Sequence, residues 1–467
     1  MNKKLKLLFT VVCIFFLVFT VPICSFSTEN KGFEEVLNGF EEDDQESDDA
    51  LSGFDEEVED ISHAEEEIEK TSVFSLDGYF KIGTAFNIDN DDKKWRGLIK
   101  LRTETLIELN VKLSDSWQAR AGCNTFFDFS YDMNGRSEYT SEILDNYEKA
   151  LELREVYILG SLSNNLDIKF GRQIVVWGKS DNIRVTDILN PLNMQEPGLT
   201  DIEDLRLSVV MTRIDYYKGQ WNLTTIAVHE NRYNKNPEFG SDFYVFPVKM
   251  PEENTPANDF SNTEFAAALN GTFSGWDIAL YYANIYNDTP HLDTLTLQME
   301  HGRIKMGGIA FNTAYGNWLF KSEVAYFSGI EYSQVSGKKY SRTDVLIGAE
   351  YSGISDTTIG FEVVDRHQNN YEQLLDLLPM KVVRDEVQTA IRITRKYMND
   401  TLTLTMLASF FGETAQHGAF ERISTGYDLS DTINIACGVI LYQAGDTLSF
   451  KNIDDNTRIF MDIKYNF

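Results

Sequence analysis

The sequence is poor in the residues that mark several common protein classes. Its 467 residues include only 9 Pro, 4 Cys and 6 His, and 42 Lys and Arg stand against 73 Asp and Glu. After the N-terminal segment, no apolar run approaches the roughly 18 residues of a membrane-spanning helix. A helical membrane protein is therefore excluded, and no basic patch indicates nucleic-acid binding. Few prolines and few strong helical patterns favour an all-β chain.

Residues 1–27 have the pattern of a secretory signal peptide. Three lysines lie in residues 3–6, an apolar core follows in residues 7–23, and residues 25–27 (Ser-Phe-Ser) suit cleavage. Cys24 is not preceded by a convincing lipobox, so we expect a non-lipidated, exported protein. An uncleaved anchor is the alternative, which the short apolar run disfavours.

Two cysteines, Cys123 and Cys437, remain once this segment is removed. Both occupy apolar-face positions of predicted strands, far apart in the chain. They form either a disulfide in an oxidising compartment or two small lipid-facing side chains.

An acidic low-complexity tail follows in residues 28–70. Residues 29–70 hold 19 Asp or Glu against two Lys, which predicts disorder through self-repulsion. A Gly-Phe-acid-acid pattern begins at Gly32, Gly39 and Gly53. It indicates either a solvated spacer or a segment that docks on a periplasmic partner or folds back into the pore.

The last ten residues, Arg458 to Phe467, alternate between apolar and largely polar side chains. Period-2 alternation over ten residues is typical of a tilted transmembrane β-strand. A terminal aromatic residue is also typical of the signal that the barrel-assembly machinery reads in outer-membrane proteins. The predicted signal residues are Ile459, Met461, Ile463, Tyr465 and Phe467. The last strand of a soluble β-domain would show the same alternation, so the remaining chain must decide.

From Val73 onward the chain reads as alternating strands whose connections are in turn short and long, as in outer-membrane barrels. Eight short turns and nine long connections, one of them at residues 332–341, predict 18 strands; sixteen is the alternative count. The predicted fold is a single all-β transmembrane barrel over residues 71–467, closed by pairing of the last strand with the one near residues 73–88.

The aromatic residues support a barrel. They make up 13% of the chain, with 22 Tyr and 31 Phe. Four of the six tryptophans directly follow a short turn and so fall at one height, as in a periplasmic aromatic belt. These are Trp117, Trp221, Trp276 and Trp318.

Polar pairs interrupt the alternation in two neighbouring predicted strands, at Arg154-Glu155 and at Arg172-Gln173. We expect a bulge that turns adjacent polar residues into the lumen, because an arginine facing lipid costs roughly 2–4 kcal/mol. These four side chains form either a selectivity patch or a salt-bridge ladder. A three-residue turn at 114–116 also predicts that Arg102 faces Asp128 inside the barrel.

A long polar segment, residues 179–206, follows these strands and could fold into the barrel and narrow it. Its prolines and its acidic and basic residues suit an ordered loop. The constriction candidates are Asp187, Asn190, Pro191, Asp201, Glu203, Asp204 and Arg206.

The run G-R-Q-I-V-V-W-G-K at residues 171–179, followed by R-V-T-D-I-L-N-P-L at 184–192, resembles the signature of an uncharacterised proteobacterial outer-membrane family, domain of unknown function 1302. The L-R-E-x-Y run at 153–157 and the acidic tail are similar to that family too. Lys179 stands where members often have an acidic residue. The resemblance implies an outer-membrane barrel, and for some members a gene neighbourhood with lipid-handling exporters.

We therefore expect a porin-like channel for small solutes in the outer membrane, with its tail in the periplasm and a leaning toward cations because of the acidic surplus. The alternatives are an outer-membrane component that exports lipids or other apolar compounds with a partner, and a structural or adhesion barrel. The scattered histidines match no catalytic or metal motif, so neither enzyme activity nor a cofactor is expected. Acidic loops that bind Ca²⁺ or Mg²⁺ bridging lipopolysaccharide are an alternative to plain solvated carboxylates.

Overall fold

The alternating segments form eighteen antiparallel strands that close into one barrel, as the loop lengths predict. The computed structural model describes residues 73–377 and 381–467. The predicted signal peptide, residues 1–27, and the predicted acidic tail, residues 28–70, lie outside the described residues.

Each barrel strand pairs with the next one along the chain. The first nine are β1 (Phe74–Asn87), β2 (Gly97–Lys112), β3 (Trp117–Asp128), β4 (Lys149–Ser163), β5 (Leu166–Gln173), β6 (Val209–Lys218), β7 (Trp221–Val228), β9 (Glu264–Phe273) and β10 (Trp276–Tyr286). The other nine are β13 (Arg303–Tyr315), β14 (Trp318–Tyr332), β15 (Val335–Ile354), β16 (Thr357–Gln368), β17 (Asp385–Tyr397), β18 (Leu402–Phe411), β19 (Gly418–Asp428), β20 (Ile433–Gln443) and β21 (Arg458–Asn466).

The remaining elements lie in the connections. Three short strands form a small separate sheet: β8 (Glu253–Asn254), β11 (His291–Asp293) and β12 (Gln298–Glu300). Short helical turns span Ser130–Met133, Arg136–Glu138, Ser141–Ile143, Leu144–Glu148, Ile202–Leu205, Phe260–Asn262, Gln373–Asp376, Leu448–Phe450 and Ile453–Asn456. Over the described ranges, no helix is long and apolar enough to cross a membrane.

The last strand closes the barrel, which confirms the predicted pairing of β21 with β1. The register runs from Tyr79 opposite Asn466 to Asn87 opposite Arg458. Beyond it, Gly78 and Phe467 exchange two backbone hydrogen bonds of 3.0 Å. The predicted signal residues all point outward and are 43–49% exposed: Ile459, Met461, Ile463, Tyr465 and Phe467. Their recognition by the assembly machinery stays a prediction.

One predicted loop is wrong. Residues 332–341 are not a long loop, because β14 and β15 run on as a hairpin in which Tyr332 stands opposite Val335. Ile330 and Tyr340 of this hairpin are 5% and 1% exposed and belong to the buried cluster of the inner wall. The run between them is mostly polar and lacks a regular apolar alternation, so the sequence there does not distinguish strand from loop.

The four tryptophans each begin a strand immediately after a short turn, at the starts of β3, β7, β10 and β14. Phe273 links two of them, with ring centroids 5.5 Å from Trp221 and 4.2 Å from Trp276. Trp221, Trp276 and Trp318 are 39–43% exposed. Their common height and outward exposure fit an interfacial belt.

Candidate pore constriction

The connection between β5 and β6, residues 174–208, turns into the lumen and is here called the constriction loop. The chain leaves β5 extended, with Val175 and Trp177 buried on its inner side. Trp177 stacks on Tyr281 of β10, with ring centroids 4.8 Å apart, and the backbone N–H of Gly178 donates to the Tyr281 hydroxyl. The loop thus reaches a strand on another part of the wall within a few residues of leaving β5.

Two carboxylates of the wall hold the next part of this loop by its backbone. Glu323 of β14 accepts hydrogen bonds from the N–H groups of Lys179 at 2.6 Å, Ser180 at 2.9 Å and Thr186 at 3.1 Å. Glu362 of β16 accepts from Asp181 at 2.7 Å and Asn182 at 2.9 Å. Charge-assisted bonds of this kind are about twice as strong as neutral ones, so they fix the path of the loop across the lumen.

Gly178 makes the close approach to Glu323 feasible. Its φ of +87° lies in the left-handed region that favours glycine. A Cβ atom at this position would lie 2.7 Å from Oε1 of Glu323 and 2.9 Å from Oγ1 of Thr186. The W-G-K motif therefore places an aromatic anchor and a turn at the point where the loop meets the carboxylate.

The loop packs against an apolar half of the inner wall. Ile183, Val185 and Leu189 of the loop are 2–5% exposed and join one buried cluster with lumen-facing residues of β6 to β17. The wall contributes mainly small and aliphatic residues, among them Met211, Ile226, Ala266, Ala279, Ala283, Met306, Ala310, Ala325 and Leu346. The inner face of this half of the wall is therefore apolar, since the loop takes the place of water.

Beyond this contact the loop crosses to the opposite wall, which is charged. Asp201 pairs with Arg392 of β17, at 3.1 Å, and with Arg422 of β19. Glu196 lies 2.5 Å from the Nζ atom of Lys100 and 3.9 Å from a guanidinium nitrogen of Arg102, both on β2. Ion pairs to three separate strands tether the far side of the loop.

These pairs shift the titration of both loop carboxyls. Burial acts to raise the pKa of Glu196, but the charges of Lys100 and Arg102 outweigh it and lower this pKa to about 2. Burial likewise acts to raise the pKa of Asp201. The guanidinium groups of Arg422 and Arg392 outweigh this effect, so the pKa lies below its ordinary value. Both carboxylates are therefore charged at neutral pH.

Several predicted constriction residues instead hold the loop to itself. Asp187 accepts from the backbone N–H of Trp177 at 3.2 Å and from the Nε atom of Arg206 at 2.9 Å. Asn190, fully buried, accepts from Val175 N–H at 2.8 Å and donates to the carbonyls of residues 173 and 207. The Pro191 carbonyl accepts from the N–H of residue 207 at 2.8 Å. These contacts close the base of the loop, away from the solute path.

The other predicted loop residues face water inside the barrel. Glu203 and Asp204 are exposed, and Asp201 and Glu203 line a cavity of about 250 Å³ beside the loop. Its lining residues are Asp181, Asn182, Asp201, Glu203, Glu350, Thr358, Gly360, Arg392 and Thr394. Four of these nine are acidic and one is basic, and Lys321 and Arg422 pair with Asp181, Glu350 and Asp201 from outside the lining. The four carboxylates together with these three cations leave a net negative charge at the cavity.

The predicted bulge on β4 is present. The register between β3 and β4 shifts so that Arg154 and Glu155 together stand opposite Gly122. Glu155 accepts from the backbone N–H of Ile174 at 3.2 Å and lies 3.8 Å from Lys169.

The predicted Arg102–Asp128 pair forms as well, at 3.3 Å between directly opposite residues. Asp128 is nevertheless buried and also accepts from Leu101 N–H at 3.0 Å and from the Ser130 hydroxyl at 2.7 Å. Arg102 covers the ring of Phe126, 4.2 Å from its centroid. The hydrogen bonds of Asp128 therefore fix the end of β3, while the Arg102 guanidinium extends toward Glu196 of the constriction loop.

Arg172 and Gln173 do not line the lumen as predicted. Arg172 stands opposite Val156, on the face that carries the exposed Phe170, and pairs with Glu230. Gln173 is fully buried under the constriction loop and donates to the Met211 carbonyl at 3.1 Å. The expected second bulge is absent here, since β5 and β6 pair without a register shift, so the two residues take opposite faces.

Sequence reasoning missed the wall residues that hold the loop: Glu323, Glu362, Arg392, Arg422 and Tyr281. A signal was available for Glu323, because the other inward residues of β14 are mostly small or apolar. No such signal exists for Glu362, because Arg366 and Gln368 of β16 also face inward. In the part of the chain that the structure describes, no group of three or more His, Cys, Asp and Glu side chains is placed to hold a metal ion. Cys123 and Cys437 are both free thiols.

Comparison with known proteins places this architecture. Three solved structures share the fold: OccAB2 of Acinetobacter baumannii (11% identity, 84% of this chain and 98% of that chain, TM-score 0.54), OccD3 (OpdP) of Pseudomonas aeruginosa (9%, 85% and 91%, 0.51) and OccK8 (OprE) of Pseudomonas aeruginosa (10%, 84% and 98%, 0.51). No curated protein matches the sequence.

A family model, described as protein of unknown function (DUF1302), matches residues 84–467. The matched range covers all of the barrel except the start of β1, and it includes the whole constriction loop. The chain therefore belongs to the DUF1302 family and is a porin-like β-barrel of the outer membrane.

Proposed function

We propose that the protein passes small hydrophilic solutes through its lumen with a preference for cations. The observation that carries the proposal is the cavity beside the constriction loop, lined by four carboxylates and one guanidinium. Carboxylates around a narrow passage concentrate cations and repel anions. Arg392 and Arg422 neutralise Asp201, whereas Glu203 has no ion-pair partner among the described residues. Lys321 of β14 lies within 4.0 Å of both Asp181 and Glu350 and so compensates only part of their combined charge. Glu203, and the share of Asp181 and Glu350 that one lysine leaves unbalanced, therefore supply the net negative charge.

Planar-bilayer recording of the purified, refolded protein tests this proposal. In a KCl gradient the reversal potential should have the sign of a cation-selective channel. The double variant Glu203→Gln/Glu350→Gln should move the reversal potential toward zero, because it removes charge without changing side-chain size. The matched control Glu413→Gln removes an exposed carboxylate in the connection after β18 and should leave the potential unchanged. The absence of single-channel events, or equal effects of the two changes, would refute the proposal.

Different observations bear on the two alternative functions, a structural or adhesion barrel and an exporter of apolar compounds. A structural or adhesion barrel predicts a lumen blocked by the constriction loop, and the polar cavity beside the loop supports a channel instead. Export of apolar compounds requires a route between the lumen and the bilayer. A break in the pairing of the wall beside β4 is the observation that favours this second candidate.

A further inference from the structure

The wall of the barrel is incomplete beside the upper half of β4. On one side, Lys149 to Leu153 pair with Phe127 to Cys123 of β3. On the other side, pairing with β5 begins only at Val156, opposite Arg172. Within the described residues no strand pairs with the β5-facing edge of residues 149–155, which is here called the wall gap. β5 has 8 residues against 15 in β4, so its early end leaves this edge open.

The wall gap lies at membrane depth. Trp117, at the short-turn end, stands opposite Gly160 of β4. Leu153 and Leu151 lie seven and nine residues further along β4, which corresponds to about 16–21 Å along the membrane normal for a strand tilted about 45°. Both point outward and are 56% and 77% exposed. The apolar band of such barrels is about 25 Å tall, so the wall gap faces the outer leaflet.

An unpaired strand edge at this depth has a physical requirement. Backbone groups without partners are tolerated inside a membrane only where protein covers them or where they line a water-filled cavity. Here the cover consists mainly of side chains: the Ser208 hydroxyl donates to the Arg154 carbonyl, and Glu155 accepts from Ile174. A wall held by side chains opens at lower cost than a wall held by a backbone ladder.

Ion pairs bridge the wall gap. Glu152 of β4 binds Lys235 at 2.9 Å, and also Arg232, and both of these basic residues lie in the connection after β7. Arg172, at the end of β5, binds Glu230 in the same connection. These three ion pairs are here called the latch. They connect β4 and β5 through the segment after β7 and not directly to each other.

That connection, residues 229–263, also covers the extracellular mouth and is here called the roof loop. It crosses to the opposite rim, where Asp242 binds Arg458 at 2.8 Å and Phe243 is buried against Tyr442 and Ile453. On the way Gly240 accepts from Lys94, at 3.3 Å, in the connection after β1. A roof of this kind obstructs direct exit to the outside above β20, β21, β1 and β2.

An open cavity of about 780 Å³ lies around the start of β4, beside Lys149, Ala150 and Leu151 of the wall gap. Thr103, Thr125 and Leu151 line it from the outer face. Phe126, Ala150, Gln195 and Lys235 line it from the lumen. Residues of the outer face and of the lumen therefore lie around one cavity at the upper end of the wall gap.

The charges at the wall gap indicate which molecules it suits. Arg154 projects into the lumen there, and no carboxylate among the described residues lies within 4.0 Å of its guanidinium. Arg232 and Lys235 share a single carboxylate, that of Glu152, so the three side chains carry a net positive charge. The lumen side of the wall gap thus offers basic groups that suit an anionic head group. The bilayer side offers Leu151 and Leu153, which suit an apolar chain.

We infer that the wall gap is a lateral passage through which an anionic amphiphile with an alkyl chain moves between the lumen and the outer leaflet. The amphiphile is either a free fatty-acid-like molecule or a bilayer phospholipid, which share this chemistry. The passage adds a second route to the porin-like lumen and does not depend on cation flow through it.

Photo-crosslinking in liposomes tests the passage. The full chain, with Cys123→Ser and Cys437→Ser, carries p-benzoylphenylalanine in place of Phe126, which faces the lumen beside the wall gap. One arm adds tritiated dodecanoate to the aqueous phase, and the other incorporates tritiated phosphatidylglycerol in the bilayer. The matched control places the same photoprobe at Leu407, which faces the lumen from β18, opposite Arg392.

Position 126 should be labelled several times more than position 407. Joining Glu152→Cys to Lys235→Cys with a cleavable bis-methanethiosulfonate should abolish the excess, and reduction should restore it. The same reagent on Leu106→Cys/Asn124→Cys, directly opposite residues of the paired strands β2 and β3, should have no effect. Glu152→Gln, which weakens the latch, should increase labelling.

Labelling in the dodecanoate arm assigns a free amphiphile, and labelling in the phospholipid arm assigns a bilayer lipid. Equal labelling at positions 126 and 407 in both arms, or labelling that survives bridging, would overturn the inference. KCl conductance of the bridged protein, recorded in parallel, should stay unchanged, so a failure of the lateral passage is distinguishable from a failure of the ion channel.

Discussion

The two halves of the inner wall share one fold and differ in chemistry. From β6 to β16 the lumen-facing positions are mostly aliphatic or small, whereas from β17 through β21 and on to β4 they carry many charges. The outer faces do not differ in this way, since Leu280 and Ile309 of the first half are as exposed as Ile107 and Met461 of the second. The difference is what each half faces: a packed loop or water.

This contrast shows that the constriction loop is part of the packed core of the barrel. In the apolar half, Glu323 and Glu362 bind backbone N–H groups of the loop. In the charged half, wall residues form ion pairs both with each other, as Arg120 and Glu108 do at 2.5 Å, and with loop carboxylates, as Lys100 does with Glu196. A barrel of this width therefore keeps one side for packing and the other for solutes.

The largest effect is expected from Glu323→Ala. It leaves three backbone N–H groups of the loop without their acceptor, and each such loss costs about 1–3 kcal/mol. The loop should detach, which larger and noisier single-channel currents and faster tryptic cleavage at Lys179 would reveal. The control Glu350→Ala removes a lumen carboxylate that binds no loop amide. Equal behaviour of the two variants would contradict the anchoring role of Glu323.

The second largest effect is expected from overpacking, which should act differently in the two halves of the inner wall. Ala279→Leu inserts a larger side chain where the wall meets the loop, and it should lower the free energy of unfolding by about 1–3 kcal/mol. Ala279 is fully buried, whereas its counterpart Ala436, on the lumen face of β20, is partly exposed. Ala436→Leu should therefore be nearly neutral. Urea unfolding midpoints in detergent measure both, and equal losses would mean that the loop is not packed on β10.

Acid should loosen the charged side of the loop. The pKa of Glu196 is about 2 in the folded chain against an ordinary value of 4.5, so its ion pairs stabilise the protein fully above pH 4.5. This contribution, about 1–2 kcal/mol because water reaches the carboxylate, should be lost as the pH falls from 4.5 to 2. Urea midpoints across this range should fall less in Glu196→Gln than in the wild type. Identical pH profiles would exclude the pairing.

The smallest effect is expected for pairs between wall residues in water. Lys81 lies 2.7 Å from Glu104, and both side chains are partly exposed to the lumen. Lys81→Ala should cost only about 0.2–1 kcal/mol in the same urea assay, because partly exposed ion pairs contribute little. A loss as large as that of Ala279→Leu would mean that the charged half is also a packed interface.

Sequence patterns predict the parts of this fold that lipid dictates. Outward residues such as Ile463 must be apolar wherever they meet hydrocarbon, so alternation, strand number and closure are readable without a structure. The bulge at Arg154 and Glu155 follows from the same rule. Where the side chains do not meet lipid the rule gives no signal, and the mostly polar residues 332–341 form a hairpin where the sequence predicts a loop.

The inner wall escapes such prediction because its chemistry depends on a partner far away in sequence. An inward alanine such as Ala310 is compatible with water or with a packed loop, and only the path of the loop decides. The placement of Arg172 likewise depends on Glu230, 58 residues later, which compensates its charge. Long-range contacts of this kind leave no local period.

Cysteine accessibility tests the division of the lumen most directly. In a chain without native cysteines, Ala279→Cys and Ala436→Cys are each exposed to a membrane-impermeant cationic methanethiosulfonate during bilayer recording. The account predicts that the reagent reduces current through the Ala436→Cys channel and leaves the Ala279→Cys channel unaffected. Equal modification at both positions would contradict it, because the constriction loop would then not cover the apolar half of the wall.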